Sequence, residues 1–123
     1  MDHKQTVRRL VDEGVNGARD ELFDELFTTR TAARARDWFG AFRGSFPDMH
    51  IEIVDLIEEG DRVVARFACS ATHTGEWRGH PPTGRRFERI DEVYFFTFEG
   101  ERIGGAWGIE DTLERFRQLG LDP

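Results

Sequence analysis

Cysteine is nearly absent. Cys69 stands alone in 123 residues, so no internal disulfide can staple the fold and nothing suggests an oxidising compartment. A chain of this length can bury a core without staples. Long apolar runs are missing too. No stretch approaches the roughly 20 consecutive apolar residues that a membrane-spanning helix needs. The start, Met-Asp-His-Lys-Gln, leads into an amphipathic segment and not an apolar signal core. Both deficits fit a cytoplasmic protein. Positive charge is short: 17 Lys and Arg against 24 Asp and Glu give a net charge of -7. That balance argues against a nucleic-acid partner and against attraction to an anionic membrane surface. Tyrosine is nearly missing as well, with Tyr94 alone beside 11 Phe and 3 Trp. Such a set either fills a core or lines an apolar cavity, the usual form of a small-molecule site.

The apolar pattern changes period once along the chain. Val7, Leu10, Val11 and Val15 recur at helical spacing until Gly14 and Gly17 interrupt it. Leu22, Phe23, Leu26 and Phe27 form a second helical stripe, with Asp20, Glu21, Asp24 and Glu25 on the other faces. Trp38, Phe39 and Phe42 form a third, ended by Gly44 and Pro47. Beyond Pro47 the residues alternate. Strands are expected around 49–54, 63–73, 87–98 and 102–109, with turns at Glu58 to Asp61 and Glu99-Gly100, and a breaker-rich loop from Gly75 to Gly84. A last helix should bury Leu113, Phe116 and Leu119 and end at Gly120. Helices first, then consecutive antiparallel strands, then one helix, indicate α+β. No linker, repeat or low-complexity tract divides residues 1–123, so one domain is expected.

The second half carries an ordered series. Phe46 to Ile53 is followed by Asp55 to Val64, then Thr72-His73-Thr74-Gly75-Glu76, Pro82 to Arg85, Phe98 to Ile103, Trp107 to Asp111 and Gln118-Leu119-Gly120. In order and spacing this resembles the SnoaL-like polyketide cyclases, within the nuclear transport factor two superfold. The resemblance implies a cone-shaped half-barrel, a curved antiparallel β-sheet wrapped around N-terminal helices, with a deep pocket. It implies intramolecular aldol closure of a polyketide ring by an acidic general acid/base, with no metal or organic cofactor, in a homodimer. The superfold also hosts epoxide hydrolases, ketosteroid isomerases, epoxide-opening ether cyclases and non-catalytic binders, so fold alone does not fix the reaction. One departure is that only Thr28 to Asp37 separates Phe27 from Trp38, without the histidine that relatives often carry there. A more open pocket mouth is expected.

Candidate chemistry follows. The resemblance makes Asp111 the acid/base, four residues after Trp107 in the family's Trp-x-x-x-Asp arrangement. Strand alternation would put Trp107, Ile109 and Asp111 on one face, where an indole and a dry cavity would raise the carboxyl pKa. Asp111-Thr112-Leu113-Glu114 reads equally as a helix N-terminal capping box. His73 could polarise a carbonyl or protonate an enolate, or simply bond to backbone at a hairpin end. Glu92 and Tyr94 share a strand face with Phe96 and are the expected polar pocket groups; Arg89 and Asp91 share the other. Trp38, Phe42 and Trp107 are expected as apolar walls, or as plain core. Glu110 and Asp111, as strand neighbours, should point opposite ways and not work as a pair. No metal is expected, since His73, Glu76 and His80 straddle a turn without ligand spacing. The expected ligand is a hydrophobic small molecule. Three functions are weighed: a cofactor-independent cyclase or isomerase, an epoxide-opening enzyme using two pocket carboxylates from among Asp91, Glu92 and Asp111, and a binding or dimerisation module.

Overall fold

The computed structural model describes residues 2–123. Helix α1 (His3–Arg9) starts with a reciprocal cap. Asp2 Oδ1 accepts the Gln5 N–H at 2.7 Å, and the Gln5 side chain accepts the Asp2 N–H at 3.0 Å. The helix then widens into a π-turn, Leu10–Val15, where the Asn16 N–H reaches back five residues to the Val11 carbonyl. The sequence explains the widening. Buried residues fall at 6/7, 10/11 and 14/15, a strict spacing of four that a helix of about 3.6 residues per turn would rotate off its face. Asn16 then clasps the free edge of the first strand, giving a hydrogen bond to the Ile51 carbonyl and accepting one from its N–H, both at 2.8 Å.

Helix α2 (Leu22–Leu26) is short and buries Leu22, Phe23 and Leu26. Helix α3 (Thr29–Ser45) begins well before the Trp38 stripe. The residues expected to separate two helices are therefore its first turns. Between α2 and α3, Thr28 gives its N–H to the Ile103 carbonyl at 2.9 Å, which ties the helical layer to the last strand.

Strands β1 (His50–Glu59), β2 (Arg62–Thr72), β3 (Arg86–Glu99) and β4 (Arg102–Glu110) form an antiparallel meander in the order β1-β2-β3-β4. The helices cover the concave face of this curved sheet, so the fold is a cone-shaped α+β half-barrel, as expected. Three bulges bend it. The pairing shifts between Ile53 and Asp55 on β1, beside Ser70 on β2, and between Thr97 and Phe98 on β3. At the second, Arg89 takes a positive φ of 53° and gives its N–H to Ser70 Oγ. At the third, Phe98 faces Ile103 and Thr97 faces Gly105, leaving Gly104 as the extra residue. A Cβ on Gly104 would meet the Glu99 carboxylate, which would have to swing aside to admit it.

Helix α4 (Thr112–Leu119) packs against β3 and sets Phe116 on Trp77. Its buried residues are Arg115, Phe116 and Leu119. The expected inward stripe is corrected at one position: Leu113 is 66% exposed, because the inward face passes through Thr112 and Arg115 instead. Gly120 ends the helix at φ 71°, and the Leu121 N–H returns to the Phe116 carbonyl at 2.9 Å.

Candidate active site

The Gly104 bulge decides what faces the cavity. Ile103 points inward, and unbroken alternation would carry Gly105, Trp107 and Ile109 inward with it. One extra residue reverses the parity. Ala106, Gly108 and Glu110 line the cavity, while Trp107 and Ile109 stand outside at 60% and 59% exposure. Trp107 lies edge-on to Phe95 on the convex face, so it is not a pocket wall. Asp111 also lies outside. Its carboxylate is exposed and accepts the Glu114 N–H at 3.1 Å, capping α4. Asp111 does not line the cavity.

The cavity itself holds about 1060 Å³ between the sheet and the helices. Trp38, Phe42 and Phe39 from α3 form one wall, with Trp38 and Phe42 nearly parallel at 6.1 Å. Phe67, Tyr94 and Phe96 face them from β2 and β3. Trp38, Phe42, Glu92 and Tyr94 all lie on this surface. His73 does not. It is fully buried against Phe46 and Trp77, and its Nδ1 accepts the Thr83 N–H at 3.2 Å. Burial pushes its pKa down, so the ring is neutral at pH 7 and pins the Gly75–Gly84 loop. Among the described residues, no three His, Cys, Asp or Glu side chains converge as a metal-binding group.

One polar network lies in this apolar cone. Glu92 and Glu110 are cross-strand partners on β3 and β4. Arg115, 1% exposed, reaches down from α4 between them. Its Nη2 donates to Glu92 Oε2 and its Nη1 to Glu110 Oε1, each at 2.8 Å. The guanidinium lies over the rings of Phe42 and Phe87, at 5.2 and 4.8 Å from their centres. Tyr94 donates its hydroxyl to Glu110 Oε2 at 2.6 Å. That bond depends on Gly108, across the ladder from Tyr94, because any Cβ there would overlap the phenol ring.

The charges do not balance. Two carboxylates share one guanidinium in a site where Glu92 is only 4% exposed. Burial, and next the charge of Glu110, push the Glu92 carboxyl up to about 7 from its ordinary 4.5, against the pull of Arg115. Burial and the same two carboxylates hold the Tyr94 phenol above its usual range, so it stays a hydrogen-bond donor. The Cys69 thiol, beside Glu92, is also pushed up by burial and is no nucleophile. The site therefore offers a carboxyl raised toward neutral pH, a phenol whose one proton rests on Glu110, and a large apolar chamber.

Sequence reading reached Glu92 and Tyr94 through the alternation of β3. Glu110 was visible but set aside as the neighbour of Asp111, and Arg115 was missed. An arginine between Thr112 and Phe116 on the inward face of the last helix was the available signal.

The family model for SnoaL-like polyketide cyclases matches residues 5–119. The chain belongs to this family. Among curated proteins, aklanonic acid methyl ester cyclase DnrD of Streptomyces peucetius is 32% identical over 73 residues. That match covers 59% of this chain and half of the relative's length. TsrD from Streptomyces laurentii has a similar structure, with a TM-score of 0.85, 23% identity and 98% of each chain covered. A SnoaL-like protein from Jannaschia sp. CCS1 superposes with a TM-score of 0.89 at 21% identity, over 98% of this chain and 93% of its own. At these identities the structural likeness is one of fold.

Proposed function

We propose that this SnoaL-like chain is a cofactor-independent cyclase or isomerase for a hydrophobic, polyketide-like carbonyl compound. The observation that carries the reading is a buried carboxyl, Glu92, that shares one guanidinium with a second carboxylate on the wall of a large aromatic-lined cavity. In an aldol closure, the Glu92 carboxylate takes a proton from the carbon next to a carbonyl. The resulting enolate carbon bonds to a second carbonyl carbon of the same molecule, and the oxygen of that carbonyl takes up a proton. Substrate and product are isomers, so no electron acceptor is needed. Tyr94 rests with its single O–H on Glu110, and turns that proton to the developing oxyanion when substrate is in place. Arg115 positions both carboxylates. The S. peucetius relative, named as an aklanonic acid methyl ester cyclase, supports the same substrate class.

The proton work is thereby assigned to Glu92 and not to Asp111, whose carboxylate is spent on the cap of α4. His73, buried behind Trp77, is a packing and loop-pinning residue in this reading. A homodimer formed through the convex sheet face is part of the proposal, supported by the exposed Phe95, Trp107 and Ile109.

The test pairs two readouts. Deuterium wash-in next to the carbonyl of 2-tetralone reports enolisation, and conversion of aklanonic acid methyl ester reports ring closure. Glu92→Gln is expected to lower both rates about 100-fold or more. Asp111→Ala should leave them within a few-fold. Loss of activity in Asp111→Ala with retention in Glu92→Gln would reverse the assignment.

A further inference from the structure

Tyr94 and Glu110 are the members of the buried network most open to the cavity. They are diagonal neighbours across the ladder, since Tyr94 faces Gly108 and Glu110 faces Glu92. Both line the cavity and both are part-exposed, whereas Arg115 and Glu92 are buried. Glu110 spends its two oxygens on different donors. Oε1 accepts from Arg115 Nη1 at 2.8 Å, and Oε2 accepts from the Tyr94 hydroxyl at 2.6 Å. The first donor is fixed by Glu92 and by the rings of Phe42 and Phe87. The second is a single O–H that can rotate away.

A ligand carbonyl that takes the Tyr94 proton therefore changes the state of Glu110. Its Oε2 loses a donor inside an apolar chamber, and a carboxylate oxygen left unmatched there is costly. Among the described residues, Tyr94 is the side chain that donates to Oε2, and Gly108 beside it has none to offer. The replacement donor must come from the ligand. A hydroxyl and a carbonyl three carbons apart on a conjugated unit hold their oxygens at hydrogen-bond distance, about 2.5–3.0 Å. The Tyr94 and Glu110 oxygens stand 2.6 Å apart. Docked edge to edge, the two pairs exchange partners. Tyr94 donates to the ligand carbonyl, and the ligand hydroxyl donates to Glu110. Two hydrogen bonds replace two, and no buried group is left without one.

We infer that the cavity selects ligands in which a hydroxyl sits beside the carbonyl that takes the Tyr94 proton, as in an ortho-acylphenol or the enol of a 1,3-diketone. The inference rests on the reading of the cavity as a site for a hydrophobic carbonyl compound, and narrows that class to hydroxy-carbonyl units read jointly by Tyr94 and Glu110. The bond from the ligand hydroxyl to Glu110 is charge-assisted, which makes it the stronger of the two contacts. It uses a neutral hydroxyl, so an ester elsewhere on the ligand meets the requirement as well as an acid does. A flat conjugated unit also suits the nearly parallel rings of Trp38 and Phe42 on the facing wall.

Calorimetric titration with three small ketones tests this without requiring turnover. In 8-hydroxy-1-tetralone the hydroxyl lies beside the carbonyl, in 5-hydroxy-1-tetralone it lies across the ring, and in 8-methoxy-1-tetralone the proton is replaced by methyl. The first should bind the unaltered protein at least about tenfold tighter than the other two. Glu110→Gln removes the charged acceptor and should shrink that preference to about threefold or less. Tyr94→Phe should weaken binding of all three ketones yet keep the preference, because Glu110 still accepts the ligand hydroxyl. The comparison in the unaltered protein stands even where a variant fails to fold. Equal affinity for the three ketones, or a preference that survives Glu110→Gln, overturns the inference and leaves the cavity reading standing. Failure of all three to bind the unaltered protein overturns the cavity reading and this inference with it.

Discussion

Glu92 resists ionisation because it is largely withdrawn from water, at 4% exposure, and a second carboxylate stands across the ladder. A raised carboxyl pKa has a defined consequence for stability. The folded state holds the Glu92 proton up to about pH 7, whereas an unfolded glutamate releases it near 4.5. The contribution is thus fully present below about pH 4.5 and is lost as pH rises to about 7. Glu92→Gln, which mimics the protonated form and can still accept from Arg115, should therefore gain stability relative to the native protein between pH 5 and 8. Urea unfolding of both proteins across that range checks the sign; a difference independent of pH would contradict it. Asp111 belongs to a different account at the same scale. As an N-terminal cap, its replacement by alanine should cost about 1 kcal/mol in the same assay.

Among the elements, α4 and β4 show what a pattern of apolar residues conveys and where it stops. Leu113, Phe116 and Leu119 looked like one stripe, but spacing alone cannot say whether Leu113 or Arg115 completes the inward face. The structure chose the arginine, because two acids on β3 and β4 are waiting for it and Phe42 and Phe87 flank its guanidinium. Accordingly, Leu113→Glu should change stability by less than about 0.5 kcal/mol. Phe116→Ala, packed on Trp77, should cost about 3–5 kcal/mol. Thermal or chemical denaturation of the two variants separates the alternatives; a severe loss in Leu113→Glu would place it back in the core. On β4 the sequence reading carried the alternation straight through Gly104-Gly105, where the strand bulges. The inward set then came out as Trp107 and Asp111 in place of Gly108 and Glu110. A bulge is legible as a glycine, but its effect on parity depends on the partner strand, which only the three-dimensional pairing supplies. On β3, Glu92, Tyr94 and Phe96 all follow the Arg89 bulge, so the face they were expected to share is unbroken.

At the scale of the molecule, element order and the change of period were enough to give the α+β cone. The cavity was not, because the same Phe and Trp residues can fill a cone or line it. Here the helical layer stands off the sheet, and about 1060 Å³ stays open between them. The convex face raises a separate expectation. Trp107 and Ile109 are each exposed by more than half, with Phe95 beside Trp107. Burying them in a homodimer would remove this apolar patch from water. Sedimentation at micromolar concentration should find a dimer for the native chain and a monomer for Trp107→Asp; a native monomer would remove the dimer from the proposal. The central claim is narrower than either the fold or the assembly: a glutamate inside the cone exchanges its proton at physiological pH. Carbon-13 NMR titration of the glutamate side-chain carboxyls measures it without any substrate. One carboxyl should titrate near pH 7 and disappear from the spectrum of Glu92→Gln. A titration in which every glutamate ionises in the ordinary range near 4.5 would contradict the account.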